Sequence, residues 1–330
     1  MGIFGDIRSY LGEAWEVWNR FWFKPTDPAT LSLIRVLAGA LLFYTHLVWT
    51  FDLQAFIGPE GWLPVEYLRN HLQVTEQLDG TLTPIWSVWS VFFWIEQPWA
   101  VWCVHILALV VFFCLMVGQF SRISSVLGFL LAVSYAQRVS PGAFWGLDKV
   151  NCMMALYLML GPCGARYSLD RLWRLRRGDT SEAPASATAN LAIRLLQMQL
   201  CIIYLFSGLA KMQGENWQAG TAVWWAVANF EYQSIDMTWL AGYPALVALA
   251  THVTVFWESF YIALIWNRFM LPITLWIAVA VHGGIALFMG MITFGLAMIF
   301  ANLSFVSPST VRRWVDPLAD RVALKLSGDG

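Results

Sequence analysis

Eight apolar runs, set apart by charged or turn-forming residues, constrain this chain more than any motif in it. They are Leu31–Thr50, Trp99–Gly118, Ile123–Gln137, Val150–Gly161, Leu195–Ala210, Leu240–Trp266, Leu271–Leu287 and Phe288–Val306. A straight helix needs roughly 20 residues to cross the hydrocarbon of a bilayer. There every backbone polar group must be satisfied inside the protein, so runs of this kind fold as helices. The third and fourth runs are short, so their helices are expected to extend past Arg138 and Asp148 or to be held inside the bundle. Composition agrees: 58% of the 330 residues are apolar and 12% charged, against roughly 25% charged in soluble domains. Twenty Trp and ten Tyr suit the aromatic belts of the headgroup region. The expected fold class is an all-α integral membrane protein with about eight transmembrane helices plus an N-terminal amphipathic interfacial helix.

That first helix is read from Phe4, Ile7, Leu11, Trp15, Trp18 and Trp22, which recur at steps of three or four between charged residues. Pro25-Thr26-Asp27-Pro28 then breaks the chain and can cap the first span. Residues 1–24 are therefore read as the interfacial helix, 25–306 as the transmembrane domain and 307–330 as a short cytoplasmic tail. Trp86–Trp94 reads as a further interfacial piece, and 178–190, rich in Ser, Ala and Thr, as a flexible linker. With the N-terminus cytoplasmic, most of the 20 Lys and Arg residues fall inside, among them Arg166, Arg171, Arg174, Arg176, Arg177, Arg312 and Arg313. Arg69, Arg138, Lys149 and Lys211 fall outside, and Arg35 within the first span. This positive-inside bias places both termini in the cytoplasm and Lys211 on the outer face.

Other classes are disfavoured. A net charge of −1 argues against a nucleic-acid partner, which needs cations to neutralise phosphates. The five Cys (103, 114, 152, 163 and 201) lack C-x-x-C spacing, so neither a metal knuckle nor a dithiol centre follows, and no metal is expected. The N-terminus has no signal-peptide layout, and Asp6 breaks the myristoylation pattern. No internal repeat supports an inverted-repeat transporter.

Ionisable residues in or at the ends of the apolar runs carry the most information, since such groups face the bundle interior or a water-filled cavity. They are Arg35, His46, His105, Lys211, His252, Glu258 and His282. Arg35 either snorkels to headgroups or pairs with Glu258 as a structural ion pair. His282 precedes Gly283 and Gly284, which would let a flat ligand or another backbone come close; alternatively it is a packing histidine. His46, His105 and His252 lack comparable context and read as hydrogen-bonded packing residues. Lys211 ends an apolar run ahead of Trp217 and Gly220. It reads either as an interfacial anchor beside Trp217 or as a desolvated general base, and spacing does not choose between them.

Several ordered stretches resemble the membrane domain of vitamin K-dependent gamma-carboxylase and its bacterial relatives, the horizontally transferred transmembrane-domain (HTTM) family. They are Pro25-Thr-Asp-Pro-Ala-Thr-Leu-Ser-Leu-Ile-Arg35-Val-Leu-Ala-Gly39, Val117-Gly-Gln-Phe-Ser-Arg122-Ile-Ser, Gly146-Leu-Asp148, Tyr167-Ser-Leu-Asp170-Arg-Leu, and Tyr204-Leu-Phe-Ser-Gly208-Leu-Ala-Lys211-Met followed by Trp217 and Gly220. Glu258, and His282 with Phe294, close the series, which runs from about residue 25 to 306.

The resemblance implies that Lys211 deprotonates a vitamin K hydroquinone or menaquinol, with O2 and CO2 as co-substrates. A lysine acting this way must be the neutral amine. It further implies that His282, with Gly283 and Trp217, lines the quinol site, while Arg35 and Glu258 are scaffold. Expected partners are the lipid bilayer, the quinol and an extracytoplasmic peptide or protein substrate, in a bacterial inner membrane. Two departures bear on the chemistry. Where the carboxylases carry a catalytic His, this chain reads Asp148-Lys149-Val150-Asn151, and the large extramembrane region of the carboxylases has no counterpart in the 330 residues. These weigh against peptide carboxylation and leave a quinol-linked oxygenation. Asp148 and Lys149 read either as replacements for the missing His or as a surface ion pair. The competing expectation is a non-catalytic binding, maturation or immunity partner that keeps the fold; small-solute transport is a third.

Overall fold

The computed structural model describes residues 3–68, 89–139 and 146–327. Among them every regular element is a helix. Five helices are long and apolar enough to cross a membrane: Ala29–Phe56, Pro98–Val117, Ala187–Met212, Pro244–Leu264 and Met270–Phe288. The bent pair Ile292–Phe305 and Pro308–Arg321 makes a sixth if taken as one span. The chain is thus a helical protein with the elements of a multi-pass membrane protein.

Two compact units result, residues 1–193 with 307–330, and residues 194–306. The first begins with helix α1 (Ile3–Phe23), on which Leu11, Trp15 and Trp18 are all more than half exposed. That apolar stripe fits a helix lying in the interface. The Asn190 side-chain amide donates to the Phe21 and Trp22 carbonyls at 2.8 and 2.9 Å, satisfying acceptors that a helix end leaves open. Helix α2 (Ala29–Trp49) is opened by the proline-flanked Asp27, whose Oδ1 accepts from the Ala29 N–H at 2.9 Å. Both Asp27 oxygens also take a bidentate Arg166 pair, each at 2.8 Å.

Helix α3 (Pro98–Val117) packs against α2 at a glycine contact: a Cβ on Gly39 would lie 2.7 Å from Met116 Cα and N. Helix α3 ends at Gly118, whose φ of 71° suits a left-handed cap. The same missing side chain leaves room for the Arg35 guanidinium. Helix α4 (Ser121–Arg138) and helix α5 (Gly146–Leu160) pair with each other, and α6 (Leu169–Arg176) follows. The core of this unit gathers Leu42, Phe112, Leu115, Ala132 and Tyr135.

Helix α7 (Ala187–Met212) begins inside the expected linker, so 187–190 is already helical. The second unit takes its later part together with α8 (Pro244–Leu264), α9 (Met270–Phe288) and α10 (Ile292–Asn302). Helix α11 (Pro308–Ser327) belongs to the first unit and makes most of the segment read as a tail helical. Its Arg312 reaches Asp316 at 3.0 Å and Asp27 at 3.4 Å, and the Tyr167 hydroxyl donates to Asp316 at 2.6 Å. Burial and that carboxylate push the Tyr167 phenol above its usual range.

Each of the eight apolar runs contains a helix, with shifted ends. Helix α4 stops at Arg138 instead of passing it, whereas α5 starts ahead of Asp148. Of the Trp86–Trp94 piece, Val91–Trp94 is a single short turn, while Trp86, like Arg69, lies outside the described residues. The Gly39–Met116 contact carries a direct test. Gly39→Val forces α2 and α3 apart and is expected to cost about 1–3 kcal/mol, read as a lower unfolding temperature in detergent; an unchanged transition would contradict the close approach.

Candidate functional site

Helices α7 and α8 meet through one close backbone crossing. A Cβ on Gly208 would lie 2.6 Å from Ser259 N and 2.8 Å from its Cα, so only glycine fits there. On α7, Tyr204, Ser207, Gly208 and Lys211 are spaced at i, i+3, i+4 and i+7, which places them on one face. On α8, Trp257, Glu258 and Tyr261 meet that face. The Tyr204 ring stacks 4.3 Å from Tyr261 and 4.7 Å from Trp257. Trp257 is itself pinned by its indole N–H, which donates to the Thr274 carbonyl of α9 at 3.1 Å.

At the end of this face Lys211 Nζ lies 2.7 Å from Glu258 Oε2. It donates to Ser207 Oγ at 2.6 Å and sits 5.3 Å from the centre of the Trp217 ring. The Glu258 side chain is 7% exposed and that of Lys211 23%, so this is a largely dehydrated pair whose remaining exposure is on the lysine. Removing one partner of such a pair leaves the other charge uncompensated.

The level of this pair differs from the sequence reading. Lys211 does end α7, but from Glu258 helix α8 runs on for about four turns, roughly 20 Å, before reaching its N-terminus at Pro244. Short helices Glu215–Gln218 and Ala222–Val227 lie beside that length. Gly220 abuts Ala248, and the Val223 N–H donates to Thr251 Oγ1 at 3.2 Å. Lys211 thus stands level with the interior of α8, at the point where a long helix breaks into short ones. A cavity of about 460 Å³ opens beside the short helices, lined by small and apolar residues including Gly220, Trp224, Leu240 and Ala248.

Two turns down the same face is a second polar cluster. The Tyr204 hydroxyl meets His282 Nε2 at 2.7 Å. Asn302 Nδ2 reaches the Tyr204 oxygen at 2.9 Å, and the Tyr261 hydroxyl donates to Asn302 Oδ1 at 2.7 Å. His282, Tyr204, Tyr261 and Asn302 are all buried, and Nδ1 of His282 has no hydrogen-bond partner among the described residues. Gly295 lets α10 press against the His282 carbonyl, holding this part of α9 in place.

The expected residues are therefore sorted as follows. Lys211, Trp217 and Glu258 come together, and His282 joins the same α7 face through Tyr204. Gly283 is part-exposed, with open space where a side chain would be. The expected Arg35–Glu258 pair is replaced: Glu258 pairs with Lys211, while Arg35 donates to the Leu115 carbonyl at 3.1 Å and to the Tyr167 carbonyl. Backbone oxygens suffice because a guanidinium spreads its charge over five donors. Asp148 and Lys149 occupy the first turn of α5 in the first unit. His105, read as a packing residue, bonds Thr50 at 2.9 Å and Tyr135 at 2.6 Å. Tyr261 and Asn302 carried no sequence signal beyond their positions within apolar helices, and Tyr204 only its place at the head of the stretch that holds Lys211.

Comparison with known protein families, curated proteins and solved structures finds no match to this chain.

The ion pair gives a measurable cycle. Lys211→Met leaves the Glu258 charge unpaired and is expected to cost about 3 kcal/mol, the lower end of the range for a broken buried pair because Lys211 retains some solvent. Lys211→Met with Glu258→Leu is expected to recover most of that loss. Additive losses in thermal unfolding of the two single variants and the double variant would show that the pair is uncoupled.

Proposed function

We propose that this chain is a quinol-dependent membrane enzyme of the HTTM type, similar to the membrane domain of vitamin K-dependent gamma-carboxylase. In this reading it has eight spans, lies in a bacterial inner membrane with both termini cytoplasmic, and opens its site toward the outer side. Vitamin K hydroquinone or menaquinol binds near Lys211, Trp217, His282 and Gly283. Oxygen is the oxidant and a quinone epoxide the product; CO2 and a peptide acceptor enter only if carboxylation is retained.

The observation that carries the proposal is the Lys211–Glu258 pair beside the break in α7. An ammonium accepts no proton, so Lys211 works as a base only as the free amine. Within the pair that form arises when the proton resides on Glu258 or has left through the exposed side of Lys211. Glu258, 2.7 Å away, gives that proton a carboxylate to move to, an arrangement that suits acid–base work. A break in a helix inside the apolar zone is tolerated where the backbone is buried in protein or lines a cavity, and such breaks often mark binding sites.

The same pair also supports a non-catalytic reading, as a binding, maturation or immunity partner, because each charge already answers the other. The two readings separate at Lys211→Arg. Arginine can hold Glu258 as an ion pair but cannot act as a base near neutral pH. With purified protein in nanodiscs, menaquinol or vitamin K hydroquinone and oxygen, the wild type is expected to form quinone epoxide detectable by mass spectrometry. Lys211→Ala and Lys211→Arg are expected to reduce it at least 100-fold, in keeping with loss of a general base. Epoxide undiminished in Lys211→Arg would remove the base role, and none from the wild type would favour the non-catalytic reading.

A further inference from the structure

The hydrogen bonds around Asn302 fix where the protons of the buried cluster lie. Asn302 Nδ2 is 2.9 Å from the Met298 carbonyl, which can only accept, so that atom is the amide nitrogen. The amide oxygen, Oδ1, accordingly accepts from Tyr261. The second amide hydrogen points to the Tyr204 oxygen. Tyr204 therefore receives a hydrogen bond from Asn302 and sends its own hydrogen to His282 Nε2. If Nε2 instead carried the proton, Tyr204 would face two donors, and its own hydrogen would be buried with nothing to bond, a cost of about 1–3 kcal/mol.

An imidazole that accepts at Nε2 and is neutral carries its proton at Nδ1. That Nδ1 is the buried atom without a partner, on a residue only 4% exposed. Buried polar groups are almost always bonded, so an orphan donor of this kind points to a group it is meant to meet. Gly283 and Gly284, next along α9, carry no side chain, so the backbone after His282 is open to close approach.

We infer that Tyr204 and Asn302 are positioning residues that hold His282 as the neutral Nδ1–H tautomer and present that N–H to an oxygen acceptor of the ligand, of the carbonyl or phenolate class. The inference rests on the quinol reading for the identity of the ligand, but not for the tautomer. It also divides the labour of the site. With Nε2 occupied by Tyr204 and Nδ1 already protonated, His282 donates a hydrogen bond and takes no proton. Proton acceptance is left to the Lys211–Glu258 pair.

The test is 15N NMR of histidine-labelled protein in nanodiscs, with the His282 signals assigned by their loss in His282→Gln. The wild type is expected to show one tautomer, protonated at Nδ1 and bare at Nε2. Tyr204→Phe removes the donor to Nε2, and Asn302→Leu removes the contact that orients the Tyr204 hydroxyl; each is expected to give Nε2–H or a mixture. Both changes are close in size to the native residue, and either one suffices if the other fails to fold. A wild type protonated at Nε2, or Nδ1–H retained in both variants, would overturn the assignment. Menaquinone binding supplies the second arm: about tenfold weaker binding is expected in Tyr204→Phe, equivalent to one hydrogen bond of ~1.4 kcal/mol. Nδ1–H in the wild type with no menaquinone binding would uphold the positioning role and overturn the quinone as its ligand. Equal affinity in wild type and Tyr204→Phe would overturn the presentation of that N–H to the quinone.

Discussion

Hydrocarbon offers no hydrogen bonds, so a polar side chain carried on an apolar helix has to be answered by a neighbouring part of the protein. The first unit answers its buried cations with backbone. Arg35 takes the carbonyls of Leu115 and Tyr167, and Arg138 takes those of Ile57 and Gly58. Both guanidiniums are fully buried, and each is placed where the chain turns and carbonyls can accept a further hydrogen bond. The left-handed Gly118 serves Arg35 twice, ending α3 and clearing the space that the guanidinium fills.

The second unit answers its cation with a carboxylate, and the chemical consequence is large. A guanidinium on carbonyls has no proton to exchange, since arginine keeps its charge and a carbonyl does not take it. An amine beside a carboxylate shares a group that both can bind. Proton chemistry among the buried cations Arg35, Arg138 and Lys211 is therefore concentrated where Lys211 meets Glu258. The end of α7 puts that pair next to the short helices that follow it in the chain.

The helices were legible because their apolar runs are long and their boundaries carry strong punctuation. Pro98 and Pro244 open α3 and α8, and Gly118 closes α3. Lys211, Glu258 and His282 were legible one by one, since an ionisable residue in an apolar run stands out. Their partners were not. Arg35 was matched with Glu258 by charge and depth, but backbone oxygens are absent from any reading of side-chain types. Depth along one helix also does not transfer to a neighbour whose ends lie at other levels. Because α7 ends just after Lys211 while α8 runs on, a lysine expected at the outer face meets a carboxylate about four turns from the N-terminus of α8. Tyr261 and Asn302 stayed hidden, and Tyr204 showed only as the head of the stretch holding Lys211, because their meaning comes from a geometry shared among α7, α8 and α10.

The crossing at Gly208 sets a rule for how such a protein can diverge. The α7 backbone rests against Ser259, and the residue one place before that serine holds the carboxylate. A larger residue at 208 could be accommodated only by a shift of α8, which would move Glu258 away from Lys211. Position 208 is therefore expected to stay glycine, because the clash is with the backbone N and Cα of residue 259, which no substitution there removes. The surface of α8 turned away from this contact, with Val253, Phe256 and Phe260 exposed, is free to drift among apolar residues. Substitution rates along this one helix should then alternate with its turns, slow toward α7 and fast on the outward side.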